Sequence, residues 1–282
     1  MTTSATTEPS GPARKTPGRT GLSPRQRRRI SLGVQSTVLA AGLLLVVLLV
    51  DWPLVRETFL DFGATREMYP DLFTIALKNT VIYTLSAYAV GFSLGLVVAL
   101  MRLSSLAVYR WLALVFVEIF RGLPALLTLM IVGYGLPIAL GGPVPGGTVG
   151  AVAVGLGLVA AAYMAETFRA GIQAVPKGQL EAARSLGMSH TRAMFSIVIP
   201  QALRIVIPPL TNELVLLFKD SSLVSALGIA AAGVELTKMG SDFAINTADS
   251  TPFVVAGACY LIITVPLGIL VRRLEARQAK AR

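Results

Sequence analysis

Residues 122–165 read GLPALLTLMIVGYGLPIALGGPVPGGTVGAVAVGLGLVAAAYMA, forty-four positions from Gly122 to Ala165 without one Asp, Glu, Lys or Arg. A helix crosses a bilayer with roughly 20 apolar residues, so the stretch is twice the needed length. Near its middle lies Gly141-Gly142-Pro143-Val144-Pro145-Gly146-Gly147, which no helix interior tolerates. It therefore reads as two membrane-spanning helices joined by a tight turn.

The rest of the chain has the same character. Of 282 residues, 54% are hydrophobic and 14% charged, against about 25% charged in soluble domains. Further apolar runs predict an all-α integral membrane protein with six spans: 32–50, 73–100, 112–136, 148–166, an irregular fifth at 204–235, and 251–271. Residues 1–31, rich in Ser, Thr, Pro, Gly and Arg, read as a disordered basic tail. The 32–50 run is longer than a signal-peptide core and has no small-x-small cleavage site after Val50, so it reads as a retained helix.

The net charge of +10 does not mark nucleic-acid binding, because the basic residues lie in the gaps between apolar runs. Residues 1–31, 101–111, 166–204 and 272–282 hold nineteen Lys and Arg; segments 51–72, 137–147 and 235–252 hold three. The positive-inside rule then puts both termini and the 166–204 loop in the cytoplasm. One cysteine, Cys259, and one histidine, His190, leave no metal-ligand spacing, no disulfide framework and no Ser-His-Asp triad. Gly155-Leu156-Gly157 imitates part of a dinucleotide fingerprint but sits in a span without a βαβ unit, so no cofactor is implied. Gly91 and Gly95 form a GxxxG pair that lets another helix approach closely.

Ionisable residues at membrane depth line a pathway or pair with each other. Glu118 and Arg121 are one helical turn apart and positioned to pair, or to snorkel at the interface. Lys78 reads as an interfacial anchor. Asn212, Glu213, Lys219, Asp220 and Ser222 share the fifth span with Pro208-Pro209. They read either as the lining of a polar path or as groups holding that span's broken backbone.

The 166–204 loop is the most specific segment. Gln179–Leu186 is a strong helix former, Gly187 suits a left-handed helix end, Ser189 suits a cap, and Pro200 is expected to stop the second helix. A DNA-binding helix-turn-helix is disfavoured, since the element is tethered between spans and too short for a three-helix domain.

Glu181-Ala182-Ala183, three residues, Gly187, nine residues and Ile197-Val198-Ile199-Pro200 resemble the EAA loop of ABC-importer permeases, with Ile199 where Leu is usual. Glu118-Ile119-Phe120-Arg121-Gly122-Leu123-Pro124, Ala162-Tyr163-Met164-Ala165-Glu166-Thr167-Phe168-Arg169 and Lys219-Asp220-Ser221-Ser222-Leu223 resemble stretches of the polar amino-acid group of that family, which carries histidine, glutamate, glutamine or arginine. The resemblance covers about residues 73–271 and implies a five-helix permease core of the bacterial plasma membrane. The 32–72 helix and loop would be an addition, and 272–282 a basic tail. It also implies two ATPase subunits docked at Glu181, Ala182, Ala183, Arg184 and Gly187, a second permease subunit, and an external solute-binding protein. No lysine follows a glycine, so the chain has no Walker-type phosphate loop of its own. Two rivals remain at this point: a carrier driven by an ion gradient, with Glu213 and Asp220 as ion ligands, and a membrane scaffold.

Overall fold

The computed structural model describes residues 24–63 and 65–280, and among these only helices and their connections occur. Two units are distinct, with the boundary after Pro53. In the first, α1 (Pro24–Leu49) opens with Arg25, Arg27, Arg28 and Arg29 and then turns apolar. Its Ser36 and Thr37 hydroxyls donate to the Gly33 carbonyl at 2.9 Å, so these polar groups are satisfied within the helix. The boundary falls within a short α2 (Trp52–Phe59), most of which belongs to the second unit. Of the tail expected at 1–31, residues 1–23 lie outside the described residues, and 24–31 are the first turns of α1.

The second unit holds α3 (Arg66–Leu103), α4 (Ala107–Gly122), α5 (Ala125–Leu140) and α6 (Gly147–Gln173). After these come α7 (Lys177–Ser185), α8 (His190–Leu227), α9 (Leu236–Thr247) and α10 (Thr251–Lys280). Across the two units, five helices are long and apolar enough to cross a membrane, and the bent pair α4–α5 makes six spanning elements among the described residues.

The glycine-rich turn forms where the sequence placed it, between α5 and α6. Gly141 and Gly146 take φ of +67° and +83°, a region closed to most other residues. The helix α6 is central and packs most intimately on α3. Gly91 and Gly95 face Ala160, Ala161 and Met164, while Gly157 faces Val90. Small residues replace bulk here because lipid supplies no hydrophobic drive between helices, and close van der Waals contact must do so. On the other flank of α6, Gly171 abuts Val206 of α8.

Three expectations are corrected. The span predicted at 112–136 is not one helix: α4 and α5 meet at 105° around Leu123-Pro124. Leu123 is extended (φ −86°, ψ 140°), as a residue before proline prefers to be. The fifth span is not unwound at Pro208-Pro209; α8 runs through both prolines. They remove the amides that would bond the Arg204 and Ile205 carbonyls, and the Gln278 side chain of α10 donates to the Arg204 carbonyl in replacement. Pro200 does not stop the second loop helix either. The chain takes a wider, π-helical turn over Met194–Val198, and α8 continues past the proline. The stretch expected as a basic tail from 272 is helical as far as Lys280.

Candidate functional site

The loop at the basic end of the second unit is a helix, a glycine turn and a second helix. At the end of α7 the Leu186, Gly187 and Met188 amides donate to the Ala182, Arg184 and Ala183 carbonyls at 3.0–3.1 Å. Gly187 takes φ +85°, which is the left-handed closure expected of that position. The Ser189 side chain accepts from the Arg192 amide at 3.3 Å and caps the first turn of α8. Leu180 packs against a small cluster of Val175, Val198 and Ala202, so α7 is seated on the base of α8. Glu181, Ala182, Arg184 and Gly187 are exposed on its outer side. Ala183 is not: it is 3% exposed and belongs to the interior. Beside them Leu186 is 86% exposed, an apolar side chain that helix propensity alone does not mark.

A second feature lies at the α4–α5 elbow. Leu123 and Pro124 of the elbow, Tyr163 of α6, and Glu213, Leu216 and Asp220 of α8 line a cavity of about 290 Å³. That is near the lower bound of about 300–1,000 Å³ for small-ligand sites. Glu213 and Asp220 reach one wall because seven residues are nearly two full turns. Asn212 and Lys219 are exposed and do not line the cavity. Ser222 donates to the Lys219 carbonyl at 2.7 Å, which uses it to hold its own backbone.

Of the two readings left open for Glu118 and Arg121, the pairing does not form: no ion pair joins them. Glu118 is exposed, and the Arg121 guanidinium lies over the Tyr163 ring, 5.4 Å from its centroid. Arg121 is itself exposed, so this cation–π contact is a modest one, about 0.5–1 kcal/mol. The anion in this region is instead Glu166, which binds Arg169 at 2.5 Å on its own helix and Arg102 at 3.3 Å at the end of α3. Glu166 and Tyr163 lie within the 162–169 motif, whose local pattern assigns neither a role. An ionisable residue closing the charge-free run was the available signal.

At the opposite end, Glu235 is fully buried and caps α9, accepting from the Thr237 and Lys238 amides at 2.6 and 2.7 Å and from the Tyr260 hydroxyl at 3.0 Å. Burial pushes its carboxyl above the ordinary carboxylate range, and these hydrogen bonds pull the other way without prevailing. The adjoining segment is pinned by Asn79, which donates to the Ala232 and Val234 carbonyls at 2.9 Å, and by Tyr83, which donates to Gly233 at 2.7 Å. No group of His, Cys, Asp and Glu among the described residues is arranged to hold a metal ion.

Residues 91–280 match the family described as "Binding-protein-dependent transport system inner membrane component". The "Probable glutamine ABC transporter permease protein GlnM" of Bacillus subtilis is 40% identical over 215 residues, 76% of this chain and 94% of that protein. The "Arginine transport system permease protein ArtQ" of the same organism is 34% identical over 221 residues, 77% of this chain and 97% of that protein. Among solved structures, the "Crystal structure of an amino acid ABC transporter with histidines" superposes with a TM-score of 0.68 at 33% identity, covering 77% of this chain and 99% of that one.

Proposed function

The chain belongs to the binding-protein-dependent transport system inner membrane components, multi-pass proteins of the bacterial plasma membrane, and from that footing we propose that it forms the translocation path for a polar amino acid in an ATP-driven importer. The family implies separate ATPase and binding-protein partners. The finer composition we propose is two ATPase subunits and a second permease subunit, identical or homologous.

The observation that carries this reading is mechanical continuity. α7 and its Gly187 turn are seated on the base of α8, and α8 carries Glu213 and Asp220 into the cavity wall without an intervening loop. A push on α7 therefore reaches the cavity through one helix. Glu181, Ala182, Arg184 and Gly187 offer the ATPase their exposed side, and Leu186 adds an apolar contact, while Ala183 acts from beneath as a small spacer. ATP-driven approach of the ATPases moves this lever as a rigid body. The excess of basic residues puts it, with both termini, in the cytoplasm. With no phosphate loop in its sequence, the chain acts as a transport subunit and draws its energy from the ATPase. Of the polar residues in the fifth span, Glu213 and Asp220 face the solute. Asn212, Lys219 and Glu118 lie off the cavity wall, and Arg121 acts through Tyr163.

The test is uptake of labelled amino acid into proteoliposomes holding the permease, its ATPase and the external binding protein. Uptake that needs ATP and stops with a hydrolysis-dead ATPase supports the proposal. Uptake driven by a proton or sodium gradient without ATP would establish the carrier instead.

A further inference from the structure

The family match begins at residue 91 and leaves α1 without a role. That helix opens on Arg25, Arg27, Arg28 and Arg29, four guanidiniums within five residues. All four are exposed, and none is ion-paired among the described residues. No acidic residue stands between Glu8 and Asp51, so the segment holds no carboxylate of its own to neutralise them. The uncharged run from Ile30 to Val50 rises about 30 Å as a helix, the thickness of a bilayer's hydrocarbon core. Trp52, whose indole donates to the Val47 carbonyl at 2.9 Å, marks one edge of that core, as interfacial tryptophans do. The arginines then fill the first ~8 Å beyond the other edge. That is the depth of one headgroup layer, about 5–8 Å.

We propose that the basic end of α1 binds anionic phospholipid headgroups of the inner leaflet, gathering their phosphodiesters around these four arginines. The inference rests on the cytoplasmic orientation of the N-terminus and goes beyond the transport reading. A planar guanidinium meets two phosphate oxygens at once. At about 100° per residue, Arg25, Arg28 and Arg29 share one arc of about 100° and Arg27 stands across from them. Headgroups therefore approach from two sides. α1 buries none of its span among the described residues, which leaves that approach open. The positive-inside rule accounts for the sign of the cluster's charge but not for its depth in the headgroup layer. Each basic residue at an anionic surface adds about fivefold to association.

The experiment uses the full-length chain assembled with its ATPase and second permease subunit in phosphatidylcholine nanodiscs. These carry a small share of phosphatidylglycerol or, separately, phosphatidylcholine, each with the same photoreactive acyl chain, and crosslinks are mapped to the segment around the four arginines. Phosphatidylglycerol should mark it at least about tenfold more than phosphatidylcholine. Raising the salt from about 0.1 to about 1 M shortens the Debye length from about 10 to about 3 Å and should cut the excess without any variant. Arg28→Gln combined with Arg29→Gln leaves five of the seven basic residues in 1–31 to hold the orientation, which protease access to the N-terminus checks. This variant should lower the excess about fivefold or more. Equal marking by the two lipids in the wild type overturns the proposal, as does an undiminished excess in the correctly oriented variant. Inorganic phosphate that suppresses marking more than chloride at the same ionic strength would assign the cluster to a soluble anion and overturn the lipid reading. No arm depends on uptake, so failure here leaves the transport reading standing.

Discussion

Gly91 of α3 and Ala160 of α6 leave no room between them: a Cβ added at Gly91 would stand 2.7 Å from the Ala160 Cβ. One turn further on, a Cβ at Gly95 would stand 2.9 Å from the Ala161 carbonyl oxygen. Backbone cannot yield as the tip of a side chain can. Gly95→Val should therefore force the two helices apart and cost about 1–3 kcal/mol, the usual range for overpacking. Gly257, with nothing within 4 Å of its added Cβ, is the matched control, and Gly257→Ala should be neutral. Thermal unfolding of the detergent-purified variants checks both. An unchanged Gly95→Val melting temperature would show that the α3–α6 seam is more plastic than its geometry.

The turn at Gly187 fails for a different reason. An added Cβ there meets nothing within 4 Å, so only the φ of +85° opposes substitution. A left-handed residue with a Cβ costs about 1–2 kcal/mol, least for Asn and most for a β-branched side chain. Gly187→Asn, Gly187→Ala and Gly187→Val should weaken co-purification of the ATPase in that order while membrane insertion stays normal. If Gly187→Val retains the ATPase as the wild type does, the exposed side of α7 is not the docking surface.

What could be read from the residues alone followed from strong local physics. The forty-four uncharged positions with a glycine-proline interruption dictate α5, turn and α6 whatever surrounds them. Gly187 and Ser189 were legible because a left-handed closure and a cap each need one residue type. The prolines misled, because a proline breaks a helix only where nothing takes over its lost partner. At Arg204 that partner is Gln278, seventy-four residues away, and no local pattern reports it. The same holds for Arg121. Its neighbour Glu118 was the natural guess by spacing, but the tertiary fold offered the Tyr163 ring. The cavity was half legible. Glu213 and Asp220 were marked as costly at depth, but the elbow at Leu123-Pro124 that closes the other wall was read as straight helix.

Glu235 gives a pH dependence with a definite sign. In the unfolded chain its carboxyl titrates near the ordinary value of 4.5, and in the folded protein burial raises it. Between those two values the folded state holds more protons than the unfolded one, so stability falls as pH rises through the window and is fully present below 4.5. The Tyr260 hydroxyl and the two backbone amides of the cap oppose this shift without cancelling it. Hydrogen exchange of the α9 amides should accordingly report lower protection at pH 7 than at pH 5, after correction for intrinsic rates. Glu235→Gln keeps an acceptor for the cap and removes the titration, so its protection should be flat with pH. A slope that survives in Glu235→Gln would assign the effect elsewhere.

Glu166 and Arg102 are unequal partners, and removing each should have a different consequence. Glu166 serves two guanidiniums, Arg102 at 3.3 Å and Arg169 at 2.5 Å. Arg169 keeps a second acceptor in Gln173 at 2.7 Å, whereas Arg102 has no other anion among the described residues, and its Nη1 is already buried without a hydrogen bond. Glu166→Ala thus leaves an unpaired cation at the end of α3 beside a second one on α6, a loss of about 2–3 kcal/mol. Arg102→Ala leaves Glu166 still held by Arg169 and should cost about 1 kcal/mol. In the double variant Arg102 is no longer there to be orphaned, so the two losses should sum to more than the measured total. Thermal unfolding of the three variants checks the order. Equal single losses that add would mean that the 3.3 Å contact carries no coupling between α3 and α6.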